Sequence, residues 1–176
     1  MPRTKQPLKH AGMAAFTPCL TVPAMDQARQ EMETNYFGTL AMVRAFAPHL
    51  KRNGGGALVN MLSVLSWFTL PTAGSYCASK SAELALTEGL RIELRSQGTR
   101  VIAVHAGYID TDMTAALNRP KVSPEEVAAR ISEGIRKDQE GVLADQPSQE
   151  VKAVLLWPSQ VCSDLDFVHF SMGNEA

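Results

Sequence analysis

Three side chains in the sequence have the types and the spacing of a proton-transfer site. Tyr76 stands four residues before Lys80 at the start of a segment with helical periodicity, and Ser63 lies thirteen residues before Tyr76. Residues four apart share one face of a helix, so the ammonium of Lys80 can lie near the phenol of Tyr76. A free phenol has a pKa of about 10, and a neighbouring cation lowers it. We therefore predict that Tyr76 is a general acid and base, and that the Ser63 hydroxyl holds the reacting oxygen.

The elements that must position these residues alternate along the chain. Apolar runs predict strands at residues 8–12, 57–62, 100–104 and 141–144. Helical periodicity predicts helices that start near residues 24, 75, 124 and 149. This alternation predicts an α/β fold with a parallel sheet. Ser63 follows the carboxyl end of its strand, which is where open α/β sheets bind ligands.

Composition and charge argue against several other functions. The 176 residues carry 17 Lys and Arg against 18 Asp and Glu, which does not suggest the basic footprint of a nucleic-acid binder. No apolar run reaches the roughly 18 residues of a membrane span, and the first residues lack the apolar region of a secretory signal. The three cysteines are odd in number and irregularly spaced, which predicts neither disulfides nor a metal site. We expect a cytoplasmic protein without nucleic-acid, membrane or metal partners.

From about residue 10 to about residue 157, the chain resembles the carboxyl-terminal two-thirds of a short-chain dehydrogenase/reductase. The segment from Tyr76 to Lys80 matches that family's Tyr-x-x-x-Lys signature. Ser63 lies at the family's spacing, and Asn35 stands in the preceding helix, where the family carries a fourth catalytic residue. Residues 104–111 resemble the family's Pro-Gly segment and its downstream Thr, with Ala106 in place of the Pro. The resemblance implies a partial Rossmann-like, doubly wound parallel sheet.

The resemblance also implies a role for each matched residue in hydride transfer between NAD or NADP and a small carbonyl or alcohol substrate. Tyr76 would transfer the proton, and Lys80 would lower the pKa of Tyr76 and bond the nicotinamide ribose. Ser63 would position the substrate oxygen, and Asn35 would hold a water chain that reaches Lys80. The remaining residues implied to contact the cofactor are Ala11, Gly12, Gly107, Ile109 and Thr111.

The chain departs from the family at its start. The family's Gly-x-x-x-Gly-x-Gly loop, which holds the pyrophosphate at a helix amino terminus, does not occur in these residues. Of the family's Asn-Asn-Ala-Gly, only Ala11 and Gly12 remain. We interpret the sequence as a truncated form, with a loose terminus at residues 1–9, the domain at 10–157 and an irregular tail at 158–176. The strand at residues 8–12 would then be an unpaired edge, which favours a homo-oligomer.

Several alternatives stay open from the sequence. The chain is either an oxidoreductase, active or inactive in this truncated form, or a non-catalytic remnant that binds a partner through the helices around Leu40 and Leu90. A stripe of small residues along the second helix, which includes Ala78 and Ala85, packs on the sheet or on another subunit. Trp67 and Phe68 line a substrate pocket or belong to the core. A pocket formed by them together with Leu65, Leu70 and Tyr108 would favour an apolar carbonyl or alcohol.

The missing loop leads to a prediction about cofactor affinity. Without the pyrophosphate and adenine part of the family's site, this chain should bind reduced cofactor much more weakly than a family member that has it. A fluorescence titration with NADPH and with NADH measures the dissociation constant directly. Micromolar binding of either cofactor would contradict the expectation.

Overall fold

The computed structural model describes residues 8–9, 12–20 and 25–155, with the backbone alone at residues 8 and 9. Ala11 and the tail at 158–176 therefore lie outside the described residues, as does most of the terminus predicted at 1–9. The strand predicted at residues 8–12 begins at Leu8, two residues before the boundary that we set at residue 10.

Four parallel strands form the sheet, in the order β1-β2-β3-β4. The predicted α/β fold with a parallel sheet is confirmed. The strands are β1 (Leu8–Lys9), β2 (Gly56–Met61), β3 (Thr99–His105) and β4 (Gly141–Leu143). Leu8 is in register with Val59, and Met61 with Val104. Within the described ranges, β1 is an edge strand and pairs with β2 alone.

Five α-helices connect and cover the strands within the described residues. They are α1 (Asp26–Met32), α2 (Gly38–Arg52), α3 (Gly74–Arg95), α4 (Pro124–Arg136) and α5 (Gln146–Leu155). A π-helical turn (Glu33–Phe37) joins α1 to α2, so the helix predicted from residue 24 is one rod with a widened turn. No helix in this part of the chain is both long enough and apolar enough to cross a bilayer.

The sheet is buried on both faces, as the nearly continuous apolar run of β2 predicts. Val59 and Ile102 belong to a cluster that includes Ile131 of α4. Leu58 and Val101, one position away, pack on the opposite face. There they meet α2 and α3 through a cluster that consists of Val43, Leu58, Leu90, Leu94 and Val101. Leu90 is 5% exposed and belongs to this core. Partner binding through the helices around Leu40 and Leu90 stays a prediction.

The buried face of α3 differs from the small-residue stripe that the sequence suggested. Ala78 and Ala85 are exposed. The buried side chains lie on a neighbouring face and are polar over the first half of the helix. They include Cys77, Lys80, Glu83, Thr87, Leu90 and Leu94. Ala78 and Ala85 therefore do not form the sheet contact, whereas Leu86 and Leu90 of the same stripe pack in the cluster that contains Leu58 and Val101 of the sheet.

The turn between α2 and β2 gives a test of backbone packing. Gly54 and Gly55 have φ values of 79° and 105°, which L side chains rarely adopt. A Cβ on Gly55 would lie 2.2 Å from the Gly98 carbonyl oxygen, whereas one on Gly54 would meet no heavy atom within 4 Å. We expect Gly54→Ala to lower the free energy of unfolding by about 1–2 kcal/mol through the left-handed backbone alone. Gly55→Ala should lower it by about 1–3 kcal/mol more, through overpacking.

Urea denaturation of the two variants beside the wild type measures the difference. Gly54→Ala is the matched control, because it shares the backbone conformation and lacks the clash. Equal losses in the two variants would show that the Gly98 contact does not constrain the turn.

Candidate active site

Ser63 lies just past the end of β2, at the carboxyl edge of the sheet. The amides on either side of Ser63 continue the hydrogen bonds between β2 and β3. Leu62 N donates to Val104 O at 2.7 Å, and Val64 N donates to Ala106 O at 3.0 Å, just past the end of β3. The Ser63 Oγ accepts a hydrogen bond from Leu65 N at 3.1 Å and begins a short 3₁₀ turn. The hydroxyl is also hydrogen-bonded to Tyr76. The backbone thus fixes Ser63 before any ligand binds.

Tyr76 occupies the first turn of α3. The helix begins after a 3₁₀ turn (Pro71–Ala73) and has no side-chain cap at its N-terminus. The ring of Phe16 packs against Tyr76, with 5.7 Å between the ring centroids.

The ionisation of Tyr76 differs from the expectation. Burial, the largest cause, raises the pKa of Tyr76 well above its usual value, and the charge of Glu83 adds to the rise, while the hydrogen bond with Ser63 opposes it. The prediction of a lowered pKa is therefore wrong for this state of the protein. At neutral pH Tyr76 is a phenol, which can donate a proton.

The ammonium of Lys80 is held inside the protein by two acceptors. Its Nζ donates to the Met61 carbonyl at 2.9 Å and to Glu83 Oε2 at 2.7 Å. Lys80 is 5% exposed and Glu83 is fully buried. Glu83 lies three residues after Lys80 on α3, and Met61 is the last residue of β2. These two acceptors fix the ammonium beside the site.

Asn35 lies in the π turn and fastens the chain after β1 to α3. Its Oδ1 accepts from Met13 N at 2.9 Å, and its Nδ2 donates to Met13 O and to Ser79 Oγ, both at 2.9 Å. A Cβ on Gly12 would lie 3.7 Å from Asn35 Oδ1 and 3.9 Å from Lys80 Nζ. Asn35, Gly12 and Lys80 are therefore neighbours, and the water chain assigned to Asn35 stays a prediction.

The loop after β3 forms the opposite side of the site. Gly107 N donates to Asp145 Oδ2 at 2.6 Å, and a bridge between Ile109 and Val122 continues the loop beyond it. Thr111 caps the next 3₁₀ turn through a reciprocal pair of bonds with Thr114. The sequence analysis did not identify Asp145, whose only local signal is an Asp three residues before Ser148, the pattern of a helix cap.

A cavity of about 270 Å³ joins these parts. Asn35 is not among its lining residues and supports the lining from behind. The cavity is lined by Gly12, Met13, Met61, Leu62, Ser63, Tyr76, Lys80, Ala106, Gly107, Ile109, Thr111, Asp112, Met113 and Thr114. Seven of the nine predicted site residues therefore line one space.

Trp67 and Phe68 do not line this cavity. Both pack on a separate cluster that contains Leu65 and Ala73. The Trp67 ring also stacks on His105 with 3.8 Å between centroids, and Lys152 Nζ lies 5.0 Å from the Trp67 ring. Of the two interpretations of these aromatic residues, the structure favours the core.

His105 is a packed histidine at the end of β3. It is 4% exposed, and its Nδ1 lies 3.3 Å from Ser66 Oγ and 3.4 Å from Ser63 O. Burial lowers the pKa of His105 to about 4, the Ser63 carbonyl opposes the change, and the charges of Lys152 and Arg91 contribute to it. The ring is uncharged at neutral pH.

A phenol, a hydroxyl and a buried ammonium thus line one cavity at the carboxyl edge of a parallel α/β sheet. The family model for short chain dehydrogenases matches residues 8–122, and the chain belongs to that family.

Individual relatives agree with this assignment. A short chain dehydrogenase from Burkholderia cenocepacia, in a crystal structure in complex with NADP, has a TM-score of 0.83 and 36% identity, covering 97% of this chain and 69% of that chain. The 1-deoxy-11-beta-hydroxypentalenate dehydrogenase of Streptomyces exfoliatus is 33% identical over 130 residues, which are 69% of this chain and 47% of its own length. The uncharacterized oxidoreductase YbbO of Escherichia coli is 28% identical over 165 residues, or 89% of this chain and 61% of its own. The chain thus spans less than two thirds of either curated relative.

The buried, uncharged ring of His105 predicts a specific loss of stability in acid. The unfolded chain binds the proton from about pH 6.5 downward, whereas the folded chain binds it only near pH 4. The contribution of His105 to stability is therefore complete above pH 6.5 and is lost as the pH falls to 4. We expect this loss to be about 3 kcal/mol.

Urea denaturation between pH 7 and pH 4 measures this effect against His105→Gln, which cannot titrate. The variant should lose about 3 kcal/mol less than the wild type over that range, because all other groups titrate in both proteins. Parallel curves for the two proteins would mean that His105 is not buried in its neutral form.

Proposed function

We propose that this protein is an NAD(P)-dependent oxidoreductase that transfers a hydride between a nicotinamide cofactor and a carbonyl or alcohol substrate. The observation that supports the proposal most is the grouping of Ser63, Tyr76 and Lys80 in the lining of one cavity. Membership of the short chain dehydrogenase family supports the same reaction class. Neither the geometry nor the family assignment selects between NAD and NADP, and NADP is bound in the related Burkholderia cenocepacia structure.

The residues present are suited to the nicotinamide and ribose part of such a cofactor. An ammonium has three N–H donors, and two of those on Lys80 bond Met61 and Glu83. One donor therefore remains for a ribose hydroxyl. Gly107 lines the opposite side of the cavity, and Ile109 and Thr111 would flank the ring there. A Cβ on Gly12 would lie 3.9 Å from Lys80 Nζ, so the glycine leaves room beside that ammonium.

The chemistry divides between the cofactor and the chain. A bound nicotinamide cofactor would supply or accept the hydride, and the protein would provide orientation and the proton. Ser63 would donate a hydrogen bond to the substrate oxygen. Tyr76 would then give its proton to that oxygen as negative charge develops on it. Because burial keeps Tyr76 protonated at neutral pH, the unliganded site is suited to carbonyl reduction.

The cavity wall suggests a substrate class. Met13, Leu62, Ile109 and Met113 supply apolar surface around the two hydroxyl groups. This set replaces the aromatic residues that the sequence analysis suggested. We therefore propose a small ketone, aldehyde or secondary alcohol with an apolar substituent.

We also propose that the protein forms a homo-oligomer. Large apolar side chains are exposed on the helices that cover one face of the sheet, with exposures of 47% for Phe37, 44% for Met42, 40% for Phe46 and 74% for Ile92. Burying such surface against a second copy would stabilise the pair.

Replacement of the proposed proton donor is the direct test of the reaction. With saturating NADPH or NADH and a panel of apolar ketones and aldehydes, we expect the absorbance at 340 nm to fall with time. Tyr76→Phe keeps the ring and removes only the hydroxyl, so the rate should fall by about 10²–10⁴-fold.

Tyr36→Phe is the matched control, because Tyr36 packs edge-on against Phe37, with 4.9 Å between ring centroids, and does not line the cavity. It should keep the wild-type rate. A wild-type protein that oxidises neither cofactor with any carbonyl compound, or a Tyr76→Phe variant as active as the wild type, would overturn the proposed function.

A further inference from the structure

A second charged group, Glu83, lies directly behind the proposed proton-transfer residues. It follows Lys80 by one turn of α3 and has no solvent exposure. Both carboxylate oxygens are engaged, since Oε2 accepts from Lys80 Nζ at 2.7 Å and Oε1 from Thr39 Oγ1 at 2.8 Å. A buried carboxylate is very unfavourable without such partners. Among the described residues, Lys80 is the lysine that lines the cavity, so a buried carboxylate bonded to it is placed to affect the site.

The surroundings fix the position of this carboxylate. Thr39 Oγ1 also lies 2.7 Å from the Asn35 carbonyl oxygen in the π turn, so the two acceptors share its single proton. On the other side, Thr87 Oγ1 donates to the Glu83 carbonyl at 2.7 Å and accepts from Asn60 Nδ2 at 3.0 Å. Thr87 thus links the backbone of Glu83 to β2, whereas Thr39 of α2 and Lys80 of α3 bond its carboxylate.

We propose that Glu83 is a positioning residue of this site: it holds the Lys80 ammonium at the cavity and offsets its charge, so that Tyr76 keeps its proton until a ligand binds. The proposal rests on the proposed function in that Tyr76 is the proton donor. An ammonium alone would favour the phenolate of Tyr76. The ion pair with Glu83 is neutral overall, so it gives the phenolate little net stabilisation.

Other groups act on Tyr76 from the elements packed around it. Burial is the first cause of its raised pKa, and the charges that add to it are those of Glu83 and Cys77 on α3 and of Glu31 on α1. Glu31 is fully buried, and its Oε1 accepts from Ala15 N at 2.7 Å. Glu83 differs from Glu31 and Cys77 in that it also bonds Lys80, so it affects both the position and the net charge of the pair.

The test replaces Glu83 by Gln, which keeps the shape of the side chain and removes the charge. Tyrosines labelled with ¹³C at Cζ are followed by NMR from pH 8 to pH 11.5, without cofactor or substrate, and Tyr76→Phe assigns the resonance. In the wild type we expect the Tyr76 signal to stay at the phenol position. In Glu83→Gln its phenolate fraction at a given pH should rise on the order of tenfold, which corresponds to a shift of about one pH unit.

Glu88→Gln is the matched control on the same helix, because Glu88 pairs with Arg91 on the exposed side. It should leave the Tyr76 titration unchanged, and a shift as large as that of Glu83→Gln would overturn the proposal. An unchanged Tyr76 titration in folded Glu83→Gln would overturn it as well.

A second variant keeps the proposal testable where Glu83→Gln does not fold. Lys80→Met/Glu83→Gln removes both charges, so Tyr76 should titrate as in the wild type. A shift of the Tyr76 titration by one pH unit in either direction would show that the charges of Lys80 and Glu83 do not offset each other, which overturns the proposal.

The NMR experiment separates this proposal from the proposed function, because it requires no turnover. A protein without oxidoreductase activity that shows the Tyr76 shift would refute the proposed function and support the role of Glu83 in Tyr76 ionisation. An active protein in which Glu83→Gln changes neither the Tyr76 resonance nor the pH profile of kcat would do the reverse.

Discussion

The ion pair between Lys80 and Glu83 is the interaction on which the site depends. An ammonium can remain in the protein interior only beside a compensating charge, and the 2.7 Å contact to Glu83 provides it. The pair also divides α3 into two parts. Its first half carries polar groups toward the sheet, whereas Leu90 and Leu94 in its second half anchor the helix in the apolar core. The chemistry is thus placed at one end of a helix whose other end supplies stability.

The π turn before α2 allows polar side chains of a second helix to face the polar half of α3. Glu31, Asn35 and Thr39 are four residues apart and are all fully buried. Four residues exceed one α-helical turn, so such a row drifts around a regular helix. One wider turn offsets that drift, and the three side chains reach Ala15, Met13 and Glu83 in succession. The widened turn therefore aligns the polar row with α3.

The sequence predicted the fold class, the strand at whose end Ser63 lies and seven residues of the cavity lining, because those features follow from local patterns. It did not identify Glu83 and Asp145 as residues of the site. A charged residue in a helix or a loop is expected to be solvent-exposed until its tertiary neighbours are known. The sequence left open whether small side chains of α3 such as Ala78 pack on the sheet or on another subunit, since apolar periodicity cannot reveal a face made of paired polar groups. The predicted direction of the Tyr76 pKa shift was wrong for the same reason. The spacing along the helix revealed the nearby cation, Lys80, and did not reveal the carboxylate of Glu83 behind it.

The side chain of Asp145 has a mechanical consequence for the domain. One of its oxygens accepts from Gly107 N at 2.6 Å, and the other accepts from Ser148 N at 2.8 Å in the first turn of α5. A single carboxylate thus clamps the loop after β3 to the start of the last described helix. A displacement of the loop at Gly107 would strain the N-terminal cap of α5. A molecule that displaces this wall of the cavity would therefore also disturb the first turn of α5.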